Sequence, residues 1–138
     1  MCTASGRRSE CVCGRTTRRR CAECGPGRRR VYETAVRDAL EARDGTRGFA
    51  WNARVAGTRL RPDFLWLFPA ACVVLEVDEG CHAGYPPAAE RAREDRLRAA
   101  LGRPVCLVRL RLPRGAPVGV PEPLLASLAE RIAAARAE

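Results

Sequence analysis

Lysine is absent from this 138-residue chain, and histidine occurs once, so 25 arginines carry all of the fixed positive charge. No lysine amine is therefore available for catalysis. Long apolar runs are missing too. The most apolar segments, 60–67 and 72–77, are separated by Pro69 and are too short to cross a bilayer. We accordingly expect a protein that does not span a membrane.

We also expect no secretory leader, because the first residues do not show a charged segment followed by an apolar one. We therefore expect an intracellular protein whose eight cysteines stay reduced. A chain of this length can bury a real core, which predicts one domain with a small appendage.

Positive charge is concentrated at the beginning of the chain. Residues 1–30 hold nine arginines and two glutamates, a net charge of +7, whereas residues 31–138 hold sixteen arginines and fourteen acids, a net of +2. A basic segment on a nearly balanced domain indicates a polyanionic partner such as nucleic acid, although a merely soluble basic tail is the alternative. The arginines expected to contact phosphates are Arg18, Arg19, Arg20, Arg28, Arg29 and Arg30.

Four cysteines of the same basic segment follow the pattern C-x-C-x7-C-x2-C. Closely spaced thiol pairs in a reducing compartment are typical ligands of structural Zn²⁺, which would order a segment that has no apolar core of its own. We therefore divide the chain into an arginine-rich zinc module, residues 1–28, and a second domain, residues 29–138. The predicted zinc ligands are Cys11, Cys13, Cys21 and Cys24.

The remaining chain shows the periodicities of alternating helices and strands. They predict an α/β fold in which the first two strands pair as a meander, and the helix between the last two strands implies a mixed or parallel sheet. We expect Trp51 to pack in the core. The predicted helices are 31–43, 86–101 and one after the loop 113–123; the predicted strands are 49–55, 60–67, 72–78 and 104–110.

Carboxylates stand at the ends of two of these strands. Asp63 lies in the second strand, while Glu76 and Asp78, two residues apart, face the same side of the third. Like charges beside apolar strands repel and are poorly solvated, and a hard divalent cation removes that cost. We predict a Mg²⁺ (or Mn²⁺) site held by Asp63 and Glu76 and extended by Asp78. Two acidic surface turns are the alternative interpretation.

Four further residues are candidates for this site. His82, the only histidine, could act as general base, proton shuttle or phosphate contact, or be structural. Glu90 and Arg93 fall in the apolar stripe of their helix, where they reach the rim of the site or form an ordinary i,i+3 ion pair. Glu33 of the first helix is a further metal ligand, direct or through water.

The motifs RPDF, VVLEVDEGCHAGY, E-x-x-R and LGRPVCLVRL, within residues 31–111, resemble the PD-(D/E)XK superfamily of nucleases. The similarity is greatest to very-short-patch-repair-like endonuclease domains and to related proteins of large DNA viruses, which often carry zinc modules upstream. It implies a restriction-endonuclease-like αβββαβ core with a mixed sheet and a C-terminal helix. It also implies a metal-dependent DNA endonuclease acting in the nucleus or cytoplasm of a host cell, with a homodimer left open.

One departure from the family concerns the signature lysine, which would stand at Asp78. Asp78 could instead hold a second metal ion, with Arg93 or His82 as the missing donor. Two other functions stay open: a non-catalytic nucleic-acid-binding protein that retains the fold, which the absent lysine favours, and an interaction adaptor built on the zinc module, which the cysteine cluster alone favours. The complete predicted catalytic set is Glu33, Asp63, Glu76, Asp78, His82, Glu90 and Arg93.

Overall fold

The described part of the chain contains three α-helices and six strands. The structure, a computed structural model, describes residues 26–79, 87–112 and 119–138 and the short segments 9–10 and 16–17. The helices are α1 (Pro26–Glu41), α2 (Pro87–Leu101) and α3 (Glu122–Ala137). The strands are β1 (Ser9–Glu10), β2 (Thr16–Thr17), β3 (Ala50–Trp51), β4 (Phe64–Leu67), β5 (Cys72–Glu79) and β6 (Val105–Leu112).

The larger sheet has the order β3-β4-β5-β6, and β1 and β2 form a separate antiparallel pair. β4 runs antiparallel to both β3 and β5, whereas β5 and β6, joined through α2, are parallel. The predictions of an α/β fold, of a meander and of a mixed sheet are therefore confirmed. The register sets Phe64 opposite Leu75, and Arg109 of β6 beside Glu76.

Both faces of this sheet are covered, because alternate side chains of β5 pack against different helices. Val73, Leu75 and Val77 join one buried cluster with α1 and α3. Cys72 and Val74 join a second cluster on the opposite face, to which α2 contributes Leu97 and Leu101. This two-sided burial explains why the strand reads as an almost unbroken apolar run.

A short turn after α1 locks that helix onto the sheet. The buried Thr46 hydroxyl donates to the Leu40 carbonyl at 2.7 Å and so satisfies a helix-terminal acceptor. The Trp66 indole N–H of β4 donates to the Thr46 carbonyl at 3.0 Å. Gly45 packs closely nearby, because a Cβ there would meet the Ala129 Cβ of α3 at 3.0 Å.

The first two predicted strands of this sheet are too long. β3 ends at Trp51 because Asn52 has a left-handed backbone, with φ of 50°, and its N–H bonds to the Asp63 carbonyl at 2.9 Å. β4 begins only after Pro62, which has no N–H to donate to a ladder. The predicted core position of Trp51 is wrong, because its ring is 38% exposed and lies under the Arg37 guanidinium.

α1 begins five residues before its predicted start, because Pro26 suits the first turn of a helix. Several residues with predicted roles lie outside the described residues: the predicted zinc ligands, Arg18 to Arg20 and His82. Their roles therefore stay predictions. Among the helices that are described, none combines the length and apolar character needed to cross a membrane.

Candidate functional site

Asp63 stands at the point where the pairing of β4 with β5 ends. Continuing the register of Phe64 with Leu75 sets Asp63 opposite Glu76. The Val77 N–H donates to Asp63 Oδ2 at 2.8 Å, so a side chain extends the ladder by one bond. Asp63 and Glu76 are only 4% and 6% exposed. The strand register thus places two buried carboxyl groups side by side.

The charge of Asp63 is disfavoured by this environment. Burial, followed by the nearby Glu76 carboxylate, raises the pKa of Asp63 from 3.8 to about 7. The Val77 N–H opposes the shift, while Glu33 of α1 and a hydrogen bond with Glu76 add to it. Because Glu33 is also buried, three acidic side chains from three separate elements interact in a poorly solvated space. Such a set favours either a proton or a cation.

Glu76 has a cationic partner on α2. Arg93 donates from Nε and Nη2 to Glu76 Oε1, at 2.8 and 2.6 Å. The sequence predicts that Arg93 faces the rim of the site, and the structure brings it there because the first turns of α2 lie over the end of β5. Both bonds use the same carboxylate oxygen, and the Glu76 side chain also shares a hydrogen bond with Asp63.

Asp78 is paired with the neighbouring strand rather than with the three buried acids. Arg109 Nη1 lies 3.3 Å from Asp78 Oδ2, and both side chains are about one-fifth exposed. Glu90, predicted for the same rim, lies 3.6 Å from Arg111. Sequence reasoning did not assign either β6 arginine to the site. The available signal was their i, i+2 spacing on a strand brought beside β5 by a parallel crossover.

The predicted residues thus form a cluster whose centre is more deeply buried than its surroundings. Glu33, Asp63 and Glu76 interact at its buried centre, while Arg93, Asp78 and Glu90 surround it with arginine partners. The backbone of Arg28, Arg29 and Arg30 belongs to α1. Within the described ranges, no group of three or more His, Cys, Asp and Glu side chains is arranged to hold a metal ion.

The chemistry of the donors nevertheless fits a hard cation, because carboxylate oxygens are the ligands that Mg²⁺ prefers and Asp63 gains most from a neighbouring positive charge. Comparisons with protein-family models, curated proteins and solved structures find no match to this chain. The fold and the cluster therefore define its class: an α/β protein with a four-stranded mixed sheet and an acidic site, lined by arginines, at one end of β5.

Proposed function

We propose that this protein is a metal-dependent endonuclease that hydrolyses phosphodiester bonds of DNA. The observation that carries the proposal is the buried trio of Glu33, Asp63 and Glu76, in which burial and like charge raise the pKa of Asp63 to about 7. A divalent cation would remove the mutual repulsion that the protein otherwise relieves with a proton. Arginines beside the trio suit an anionic substrate.

Each residue has a role that follows from its position. Asp63 and Glu76 would hold Mg²⁺ or Mn²⁺, with Glu33 as a third oxygen donor. Asp78, two residues along β5, would extend the acidic site when Arg109 moves to a phosphate. A bound divalent ion supplies an activated water at neutral pH and stabilises charge on the phosphoryl oxygens. Arg93 holds Glu76 in place and orients the substrate phosphate.

Two parts of the proposal go beyond the α/β architecture. The order α1, β3, β4, β5, α2, β6 is compatible with the restriction-endonuclease-like αβββαβ core that the motif resemblance implies. The second part is the zinc module of residues 1–28. Its test is independent of cleavage: elemental analysis of the purified protein is expected to find about one zinc per chain.

A cleavage assay tests the catalytic proposal. Single-stranded, duplex, mismatched and branched DNA are incubated with the protein in Mg²⁺, Mn²⁺ or EDTA. We expect cleavage only with the metals, and we expect Asp63→Asn to abolish it while DNA binding persists. Asp44→Asn is the matched control, because the Asp44 side chain is 91% exposed and lies outside the cluster. Equal loss in both variants, or no metal-dependent cleavage of any DNA form, would contradict the proposal.

A non-catalytic nucleic-acid-binding protein is the second candidate, and one observation favours it. Glu76 and Asp78 already have arginine partners, which compensate part of the acidic charge without a metal. Titration calorimetry separates the two candidates. The nuclease requires Mg²⁺ or Mn²⁺ binding that Asp63→Asn removes, whereas the second candidate binds DNA equally well with and without these ions.

A further inference from the structure

Two arginines of β6 lie beside the acidic end of β5. Arg109 and Arg111 are two residues apart on a strand, so their side chains project from the same face, about 6.6 Å apart along the strand. In the parallel register, Arg109 is beside Glu76 and Arg111 is beside Asp78. Leu110, between them, is buried in the cluster on the opposite face. The alternation of β6 thus places both charges on the side of the proposed active site.

The exposure of these two side chains increases away from the cluster. Arg109 is 18% exposed and Arg111 is 68% exposed. The hydrogen bond from Arg109 to Asp78 engages one of the five N–H donors of the guanidinium. The 3.6 Å separation of Arg111 from Glu90 is longer than a normal hydrogen bond, and such exposed pairs contribute little to stability. Folding alone therefore gives little reason for an arginine at position 111.

An anionic chain that passes the site would give that reason. β6 is the edge strand of the four-stranded sheet, and the Arg111 side chain on it is 68% exposed. Guanidinium groups bind phosphate oxygens through paired N–H donors. Because a strand holds its side chains on a rigid frame, two arginines at i and i+2 present such donors at a fixed interval.

We propose that Arg109 and Arg111 form a phosphate-binding row that holds the backbone of a nucleic-acid strand beside the acidic end of β5. This inference rests on the nucleic-acid partner of the proposed function and specifies which described surface contacts it. Arg109 moves from Asp78 to one phosphate, and Arg111 binds the next phosphate outward. Contacts of this kind position the strand without reading its sequence.

Arg111→Gln is the primary variant, because its exposed side chain can be changed without loss of a buried partner. The matched control is Arg136→Gln, which removes the same charge from an exposed residue of α3 whose guanidinium lies over Phe68, near the opposite end of β5. Binding of fluorescent duplex and single-stranded DNA is measured in EDTA over a range of salt concentrations, so that cleavage plays no part in the result.

We expect Arg111→Gln to weaken binding and to make the slope of log K against log salt shallower by about 0.9 for duplex and about 0.7 for single strands. Arg109→Gln combined with Arg111→Gln should roughly double that change, while Arg109→Lys with Arg111 intact should preserve most of the slope. The control should alter the slope by much less. If the double variant fails to fold, Arg111→Gln alone decides.

The inference is overturned if Arg111→Gln and Arg136→Gln have the same affinity and slope, or if the wild-type protein binds neither form of DNA. Failure of the nuclease proposal looks different. If DNA binding depends on Arg111 but no DNA is cleaved in Mg²⁺ or Mn²⁺, the phosphate-binding row is supported and the nuclease proposal is contradicted. If DNA is cleaved but binding does not depend on Arg111, the nuclease proposal is supported and the row is contradicted.

Discussion

The space between α2 and the sheet has an apolar end and a charged end. The apolar end lies where β5 begins and is packed with Cys72, Val74 and Leu97. The charged end lies where β5 finishes and holds Glu76 and Asp78. The same strand supplies both ends, at alternate positions of one face. The apolar end is stabilised by removing hydrocarbon from water. The charged end depends on arginine partners, and burial, followed by the Glu76 carboxylate, raises the pKa of Asp63 there.

This contrast shows how one helix and one strand can support both stability and chemistry. The apolar half fixes the position of α2, and the first turns of the helix then bring Arg93 to Glu76. Clustered ionisable groups with shifted pKa values are common at functional sites, and structural ion-pair networks shift pKa values as well. The two ends should therefore respond differently to substitution, pH and divalent ions.

The largest effect on stability is expected at the apolar end. Leu97→Ala should lower the free energy of unfolding by about 2–5 kcal/mol, because Leu97 is fully buried and its truncation leaves a cavity. Urea denaturation measures the change, with the exposed Ala99→Gly on the same helix as a control for helix propensity, expected to cost about 1 kcal/mol. A loss no greater than that of the control would contradict the proposed packing of this end.

The free energy of unfolding should depend on pH because of the charged end. The direction should be opposite to that produced by an acid whose pKa is lowered by folding. The raised pKa of Asp63 means that the folded protein binds a proton more tightly than the unfolded chain, so stability falls as pH rises from about 4 to 7. The loss is at most on the order of 4 kcal/mol. Asp63→Asn should flatten this part of the profile, whereas Asp44→Asn, at an exposed site, should leave it unchanged.

Chemical denaturation at a series of pH values checks this expectation. Above pH 7, Mg²⁺ should restore stability to the wild-type protein and not to Asp63→Asn, because a cation can take the place of the proton. Parallel profiles for wild type and Asp63→Asn would show that Asp63 does not titrate in this range. The proposed electrostatic difference between the two ends would then be wrong.

A smaller effect is expected from Arg93→Met, which leaves the buried Glu76 without its guanidinium. We expect a loss of about 1–3 kcal/mol near neutral pH, and a further change of Glu76 to Leu should recover part of it. Arg98→Met is the matched control on the same helix, since its pair with Glu94 is more exposed and is worth about 0.3–0.5 kcal/mol. Thermal unfolding of the three variants and of the wild-type protein gives the comparison. Equal losses for Arg93→Met and Arg98→Met would show that the bonds to Glu76 do not stabilise the charged end.

Most of the architecture could be predicted from hydrophobic periodicity and from the prolines and glycines at which helices begin and end. The bounds of α2 and β5 were nearly correct because Pro87, Gly102 and the apolar run of β5 are strong local signals. β3 and β4 were predicted too long, because the residues between them form a turn closed by the Val55 N–H and the Leu60 carbonyl. An alternating pattern does not distinguish such a turn from a strand.

The candidate site was predicted in part, for a related reason. Asp63, Glu76 and Asp78 stand at strand ends, where the sequence marks them directly. Arg109 and Arg111 received no role, because their significance depends on which strand lies next to β5. The sequence also gave no reason to separate Asp78, which pairs with Arg109, from the buried acids.

The sequence by itself determined the order of elements, the alternation of β5 and the presence of acids at two strand ends, because these properties depend on residues close together in the chain. Only the tertiary structure decided that Glu33 joins Asp63 and Glu76, that Arg93 faces Glu76, and that Arg109 faces Asp78. These contacts join residues 13 to 43 positions apart, and their geometry follows from strand register and helix docking. Burial, which gives Asp63 its raised pKa, is likewise a property of the packed chain.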